Sequence, residues 1–351
     1  MIGERIERAR KGAGLSLRDL SQKVGISHTS LSHYEKERRT PTSQVLLHLA
    51  QALGVRGEYF LRPARVPLTG VEFRKHSRMG KRAQDRIQAV VSEHVERWLE
   101  LLDLCPSFAQ PAFAIPSLLD EIGVVRDQTT VEALAKALRR AWQLGLNPIP
   151  EVVSVLEDQG VVVVFVDEDD PGFNGLSARA DGIPVIVVGK QWPGDRQRFT
   201  LLHELAHLIL AERIDPDAPL ENMCNAFAGA FLFPCTAVKQ TFGPHRDQIT
   251  ANELYLAKHT YGVSMQTALL RAGQCHIIGR RTQQQMFQYF SRKGWRKQEP
   301  GNQVPRESTK RFEQLVLRGL AEGQFNESKA AELLGMSIAS FHRSLDLENV
   351  A

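Results

Sequence analysis

Apolar residues recur along the chain with two different periods, and the change of period divides it. In residues 3–62, Ile6 and Ala9 begin a stripe that Leu17, Leu20, Val24, Leu31, Leu46, Leu49 and Leu53 continue, which predicts a compact set of short helices. Ser16 with Asp19 three residues on has the form of a capping box, Asp standing where Glu is usual. Thr40-Pro41 predicts another helix start, with a capping Thr and Pro at the first helical position. "PARVPLT" at 63–69 reads as a linker. From 81 to 104, Ile87, Val91, Val95, Trp98 and Leu102 recur at helical spacing and predict a long amphipathic helix. A Pro- and Ala-rich linker at 106–116 and a helix over 129–144 follow. Then the period changes. "IPEVVSVLEDQG" reads as a helix, "VVVVFVD" as a buried strand, and "GLSARA" and "PVIVVG" as two more strands. Two further helices follow, one carrying "FTLLHELAHLIL" (199–210) and one over 221–232. A small mixed sheet preceding helices makes the fold class α+β.

Composition adds a division of labour. The 351 residues are 42% hydrophobic and 24% charged, an ordinary globular balance with room for several domains. The net charge is only +4, yet residues 1–80 hold 15 Lys or Arg against 7 acids, while residues 149–240 hold 6 against 14. A basic front and an acidic middle point to different partners. The N-terminus has charges from residue 4, unlike a signal peptide, and the longest apolar run, "VVVVFV", is too short for a bilayer. Cys105, Cys224, Cys235 and Cys275 form no CxxC pair, so reduced thiols and a cytoplasmic location are expected, with no membrane partner.

Within the basic front, "KVGISHTSLSHYE" carries Gly25, an apolar residue and Ser27 between two helices. That is the turn of a helix-turn-helix: Gly supplies the left-handed backbone, the apolar residue plugs the core, and Ser starts the next helix. The segment from "SLRDL" to "QALGV" resembles the phage-repressor (Cro/C1, or XRE) family over about 60 residues. The resemblance implies that the second helix of the pair enters the DNA major groove, which places Ser27, His28, Thr29, Ser32 and His33 at base edges. Lys36, Arg38 and Arg39 just beyond it suit phosphates. The other reading is that this domain recognises protein, dimerising with or presenting a repressor. Two later segments repeat the turn, at Gly262-Val263-Ser264 and Gly335-Met336-Ser337, and helix packing alone explains either. Residues 280–311, with nine Lys or Arg, two acids and four interleaved aromatics, fit a nucleic-acid face or a solvated basic linker packed by its aromatics.

The helix at 199–210 carries the chemistry. His203 and His207 are four apart and share a face, so both imidazoles can bind one ion, while Glu204 sits one position round. Two ligands and a general base for water make the HExxH pattern of zinc peptidases. Chance is the alternative, but three polar side chains flanked by Leu201, Leu202, Leu205, Leu208 and Leu210 are expensive to bury without an ion. Downstream, "ENMCNAFAGAFLFP" offers Glu221 as third ligand and Asn225, on the same helix face, as a hydrogen-bond partner for a ligand. Alone, Glu221 would read as a helix-dipole residue.

"RFTLLHELAHLIL", "ENMCNAFAGAFLFP" and "YGVSMQTALLRA", with "FRKHSR" and "WQLGLNPIPEVVSVLEDQGVVVV" before them, resemble the ImmA/IrrE family of metallo-endopeptidases over about residues 71–275. The resemblance implies a compact zinc peptidase with ligands His203, His207 and Glu221 and base Glu204, acting on helix-turn-helix repressors. One departure is Met223 with Cys224, where the family often has Glu-Ala. The expected architecture is a helix-turn-helix domain (1–66), a helical connector (71–147), a small-sheet, zincin-like metallopeptidase domain (148–275), and a basic, mostly helical C-terminal region with a candidate helix-turn-helix (276–351). The expected function is a Zn²⁺-dependent endopeptidase, Mn²⁺ or another divalent ion left open, that regulates transcription by cutting a helix-turn-helix regulator. "PVIVVG" is the strand expected to receive an extended substrate. No oxyanion-stabilising group is assigned, Tyr255, His259 and Tyr261 reading as packing or surface residues. The alternative is a DNA-binding regulator whose zinc domain senses or binds a partner without proteolysis; a homodimer is left open.

Overall fold

The computed structural model describes residues 2–62, 68–69, 80–108, 111–167, 172–180 and 182–346. The N-terminal unit comprises α1 (Ile2–Gly12), α2 (Leu17–Val24), α3 (His28–Glu35), α4 (Ser43–Leu53) and a 3₁₀ turn at Gly57–Leu61. Its core is Ile6, Leu20, Leu31, Leu49 and Phe60, all fully buried. The Ser16–Asp19 capping box forms, and Gly25 closes α2 with φ 72°. At α4 the start differs from the expected one: Thr42 is the cap, its Oγ1 accepting from the Val45 N–H at 3.4 Å, and Pro41 stands ahead of it. Either Thr could cap by composition; the one whose hydroxyl reaches an orphan N–H does so.

Residues 63–67 of the expected linker, and the "FRKHSR" stretch, lie outside the described residues. Leu68–Thr69 form a short strand, β1. The long helix α5 (Lys81–Leu104) matches its predicted span, but Leu101 rather than Leu102 is its last fully buried position. After α6 (Gln128–Ala141) and α7 (Val152–Asp158) come β2 (Val162–Val166), β3 (Gly175–Ala180) and β4 (Ile183–Gly189), then α8 (Gly194–Leu210) and α9 (Leu220–Leu232). The sheet order is β1-β3-β4-β2, with β2 parallel and β3 antiparallel to β4, and β1 antiparallel to β3.

The sheet is covered on both faces, which is why β2 and β4 read as continuous apolar runs. Ile186 and Val188 of β4 face the core built with α6 to α9. Val185 and Val187 face a second core with Ile87, Val91, Val95 and Trp98 of α5 and with the C-terminal helices. Being central, β4 has both edges paired and cannot receive an added strand, contrary to the expectation for "PVIVVG".

The chain continues through α10 (Cys235–Phe242), α11 (Ala251–Tyr261), α12 (Met265–Gln274), α13 (Arg280–Lys293), α14 (Arg311–Ala321), α15 (Glu327–Leu334) and α16 (Ile338–Leu345). Phe290 is buried, and Phe287, Tyr289 and Trp295 pack against the main core, so the aromatics of 280–311 serve packing. The strap between α13 and α14 is held by charges. Fully buried Lys258 meets Glu299 at 2.9 Å and Asp195 at 3.3 Å, and Arg198 meets Glu307 at 2.6 Å. The cysteines also depart from expectation: Cys235 and Cys275 form a disulfide, because α10 and α12 bring their Cα atoms to 5.5 Å, a proximity that a sequence separation of 40 conceals. Cys105 and Cys224 are buried thiols. No described helix is long and apolar enough to cross a membrane.

Glu157, at the end of α7, lies buried beside the strap. Burial pushes its carboxyl up to about 7, against the opposing pull of the Thr309 hydroxyl and Arg311. The folded state therefore keeps a proton that the unfolded chain gives up above about pH 4.5. The contribution is present at acid pH and lost as pH rises towards 7. Comparing denaturation midpoints at pH 5 and pH 8, the wild type should lose up to about 3 kcal/mol relative to Glu157→Gln.

Candidate metal centre

Helix α8 buries Leu201, Leu202, Leu205, Ala206 and Ile209 in the main core. Helical periodicity then turns His203 and His207 together towards the start of α9. Their Nε2 atoms stand 3.0 Å apart. Glu221, in the first turn of α9, brings Oε2 to 3.3 Å from His203 Nε2 and Oε1 to 3.7 Å from His207 Nε2. All three ligand atoms lie within 4.8 Å of one another.

The partners on the far side of each ring decide what these nitrogens present. His203 Nδ1 lies 3.0 Å from Asn225 Oδ1, an oxygen that can only accept, so Nδ1 carries the proton and Nε2 a lone pair. His207 Nδ1 lies 3.0 Å from Cys224 Sγ, which can take the same proton donation. Two lone pairs and a carboxylate converging this closely repel one another unless a cation joins them. Two nitrogens sharing one tetrahedral ion stand about 3.3 Å apart, near the spacing found. The His/His/Glu set therefore fits a divalent ion, with nitrogen donors suited to zinc. His207 is nearly closed off, but 46% of the Glu221 side chain is exposed, so one side of the centre faces solvent.

Glu204 faces the sheet. Its Oε2 accepts from the Ser177 hydroxyl of β3 at 3.0 Å. This contact requires β3 to run close under α8, and Gly175 permits it: a Cβ there would lie 2.6 Å from Thr200 Cγ2 and 2.7 Å from Val187 O. Ser177 was not singled out in the sequence, although a small hydroxyl residue alternating with apolar Leu176 and Ala178 was a readable signal.

Residues 156–272 match the IrrE N-terminal-like domain of the M78 peptidases, and residues 3–64 match a helix-turn-helix domain. The chain thus carries an ImmA/IrrE-type domain, with an XRE-type helix-turn-helix domain at its front. That front domain is similar to the HTH-type transcriptional regulator ImmR of Bacillus subtilis (strain 168), 33% identical over 60 residues that cover 17% of this chain and 47% of ImmR. It is also similar to the uncharacterized HTH-type transcriptional regulator y4dJ of Sinorhizobium fredii (strain NBRC 101917 / NGR234), 40% identical over 55 residues, 16% of this chain and 71% of y4dJ. The chain thus spans about half the length of the first of these relatives. The chain therefore joins a metallopeptidase-family domain to a helix-turn-helix domain, and the metallopeptidase family implies a divalent metal.

In this ImmA/IrrE-type domain the departure at Cys224 has a structural consequence, because its sulfur is the group behind His207. Tyr261 stacks on Phe233 with centroids 4.0 Å apart, and the Tyr255 hydroxyl accepts from the Asn302 N–H at 3.2 Å; both are engaged in packing. At the other end of the molecule, Ser27 caps α3 through the Ser30 N–H, so its hydroxyl is already committed. Ser27, His28, Thr29, Lys36, Arg38 and Arg39 are exposed, and Ser32 and His33 half-buried. The domain docks on α5 through α1, with Arg5 2.6 Å from Glu96 and Lys11 3.8 Å from Asp85, which leaves the α3 side uncovered.

Truncating either ring partner should loosen the imidazole it orients. Asn225→Ala and Cys224→Ala should each weaken Zn²⁺ binding about 10- to 100-fold in a chelator competition, with little change in the thermal midpoint of the metal-stripped protein.

Proposed function

We propose that this chain is a zinc-dependent endopeptidase that cuts a helix-turn-helix transcription regulator, and that its own N-terminal domain binds double-stranded DNA. The observation that carries the reading is the convergence of His203, His207 and Glu221 beside a carboxylate, Glu204, which a purely binding site would not need. His203, His207 and Glu221 would hold the ion, which supplies Lewis acidity towards a peptide carbonyl and water. Glu204 takes a proton from the attacking water and delivers it to the leaving amine nitrogen. Ser177 holds the carboxylate in place by donating to Oε2.

An extended substrate finds its place on β3. Among the described residues, β3 pairs with β1 only through Arg179 and Ala180, so the outer edge of Gly175–Ala178, beside Glu204, is the one that fits a substrate strand. Phe199, one turn before His203 on α8, lines a cavity of about 490 Å³ with Trp192, Arg196, Gln266 and Trp295. That cavity suits a large side chain of the bound segment. A helix-turn-helix regulator is the substrate class that the family resemblance implies. The basic residues after α3 bring the peptidase to the DNA on which such regulators sit.

Incubating the full chain and Zn²⁺ with helix-turn-helix regulators encoded by neighbouring genes should give one defined cut, read by mass spectrometry. Glu204→Gln should lower its rate by about a hundredfold or more while one metal ion per chain stays bound. Cutting by Glu204→Gln at the wild-type rate would refute the assignment. No cut of any such regulator by the wild type would leave the metal-sensing regulator as the better account.

A further inference from the structure

The chain contains its own helix-turn-helix template, and α15 and α16 reproduce it without insertion or deletion. Gly25 stands nine residues after the cap Ser16 and has φ 72°; Gly335 stands nine after the cap Asn326 and has φ 71°. Two residues on, Ser27 and Ser337 each cap an eight-residue helix by accepting from the N–H three residues ahead, Ser30 and Ser340. Buried positions coincide as well, except that α15 also buries Leu333 where α2 has exposed Lys23. Leu20 and Ser21 correspond to Ala330 and Ala331, and Leu31, the one buried residue of α3, corresponds to Phe341, the one buried residue of α16. An antecedent helix completes each unit, α1 in one and α14 in the other.

The third copy of the turn shows what the match is worth. Gly262 stands twelve residues after its cap Thr250, and α12 buries Met265, Ala268, Leu269, Arg271 and Ala272. Its first N–H groups are taken by Glu299. That copy is part of the core. By contrast, α16 leaves Ile338, Ala339, His342 and Arg343 exposed, at the positions where α3 carries His28, Thr29, Ser32 and His33.

Both units sit on one helix. Arg5 and Lys11 of α1 pair with α5, Lys329 of α15 pairs with Glu100 of α5, and Arg62 of the first unit pairs with Glu332 of the second. We propose that α15 and α16 form a second DNA-reading unit, with α16 entering a major groove of the same duplex that α3 engages. Arg343 is suited to a guanine edge and exposed Ile338 to a thymine methyl. Phosphate attraction comes mainly from Lys36, Arg38 and Arg39, since residues 311–346 carry four Lys or Arg and five acids. The second unit therefore adds sequence discrimination with little salt dependence. None of this depends on the peptidase reading, and Glu204→Gln should select the same DNA.

Selection from a randomised double-stranded DNA library with the full chain tests it. The wild type should enrich a site of two unlike boxes. Ile338→Ser with Arg343→Ala, both on the surface, should lose one box and about tenfold or more in affinity for the full site, with the salt slope and thermal midpoint unchanged. His28→Ala with Thr29→Ala should lose the other box. No enrichment, a single box untouched by the α16 changes, or two identical boxes both lost with the α3 changes would overturn the proposal.

Discussion

Everything at the centre of this molecule depends on two imidazole nitrogens held 3.0 Å apart with a carboxylate beside them. Such an arrangement is unfavourable in an apolar surround unless a cation completes it. The fold supports it from three sides. The leucines of α8 anchor that helix in the core, Asn225 and Cys224 of α9 back the two rings, and Gly175 lets β3 come near enough for Ser177 to reach Glu204. Each support is a close approach between separate elements.

The same economy governs the larger architecture. One small sheet organises two cores because α5 and the C-terminal helices close the face that α7 and α8 leave open. Buried charge fastens the added layers: Lys258 with Asp195 and Glu299, and Arg198 with Glu307, tie the strap between α13 and α14 to the peptidase fold. Losing one partner of such a pair strands the other charge out of water, so these contacts enforce register more than they add net stability. Arg5, almost fully buried against Glu96, plays the same part between the N-terminal unit and α5. A single helix thus touches the sheet and both helix-turn-helix units.

Much of this was legible beforehand, for identifiable reasons. The α5 span, the α8 and α9 helices and the three main strands follow from periodicity and from Gly, Pro and Ser punctuation, which are local properties. So does the sharing of one face by His203 and His207. The misreadings at the strand and the cysteines were non-local, and the one at the cap was local. Both Thr40 and Thr42 could cap α4 by composition, and only the hydroxyl's reach chose between them. "PVIVVG" reads as an ideal strand to extend, yet sheet order places it in the middle. Cys235 and Cys275 look isolated in the chain and meet through helix packing.

The sequence by itself determined the elements, the helix-turn-helix spacing and the chemistry available on each helix face, because 3.6-residue and two-residue periods are written into the order of side chains. Tertiary structure alone decided which of those faces meet. Glu221 reaches the imidazole pair because α8 packs on α9, Ser177 reaches Glu204 because β3 lies beneath α8, and α16 rather than α12 keeps its outer face exposed. Such pairings are fixed by the joint filling of two cores, a property of the whole chain that no local stretch contains.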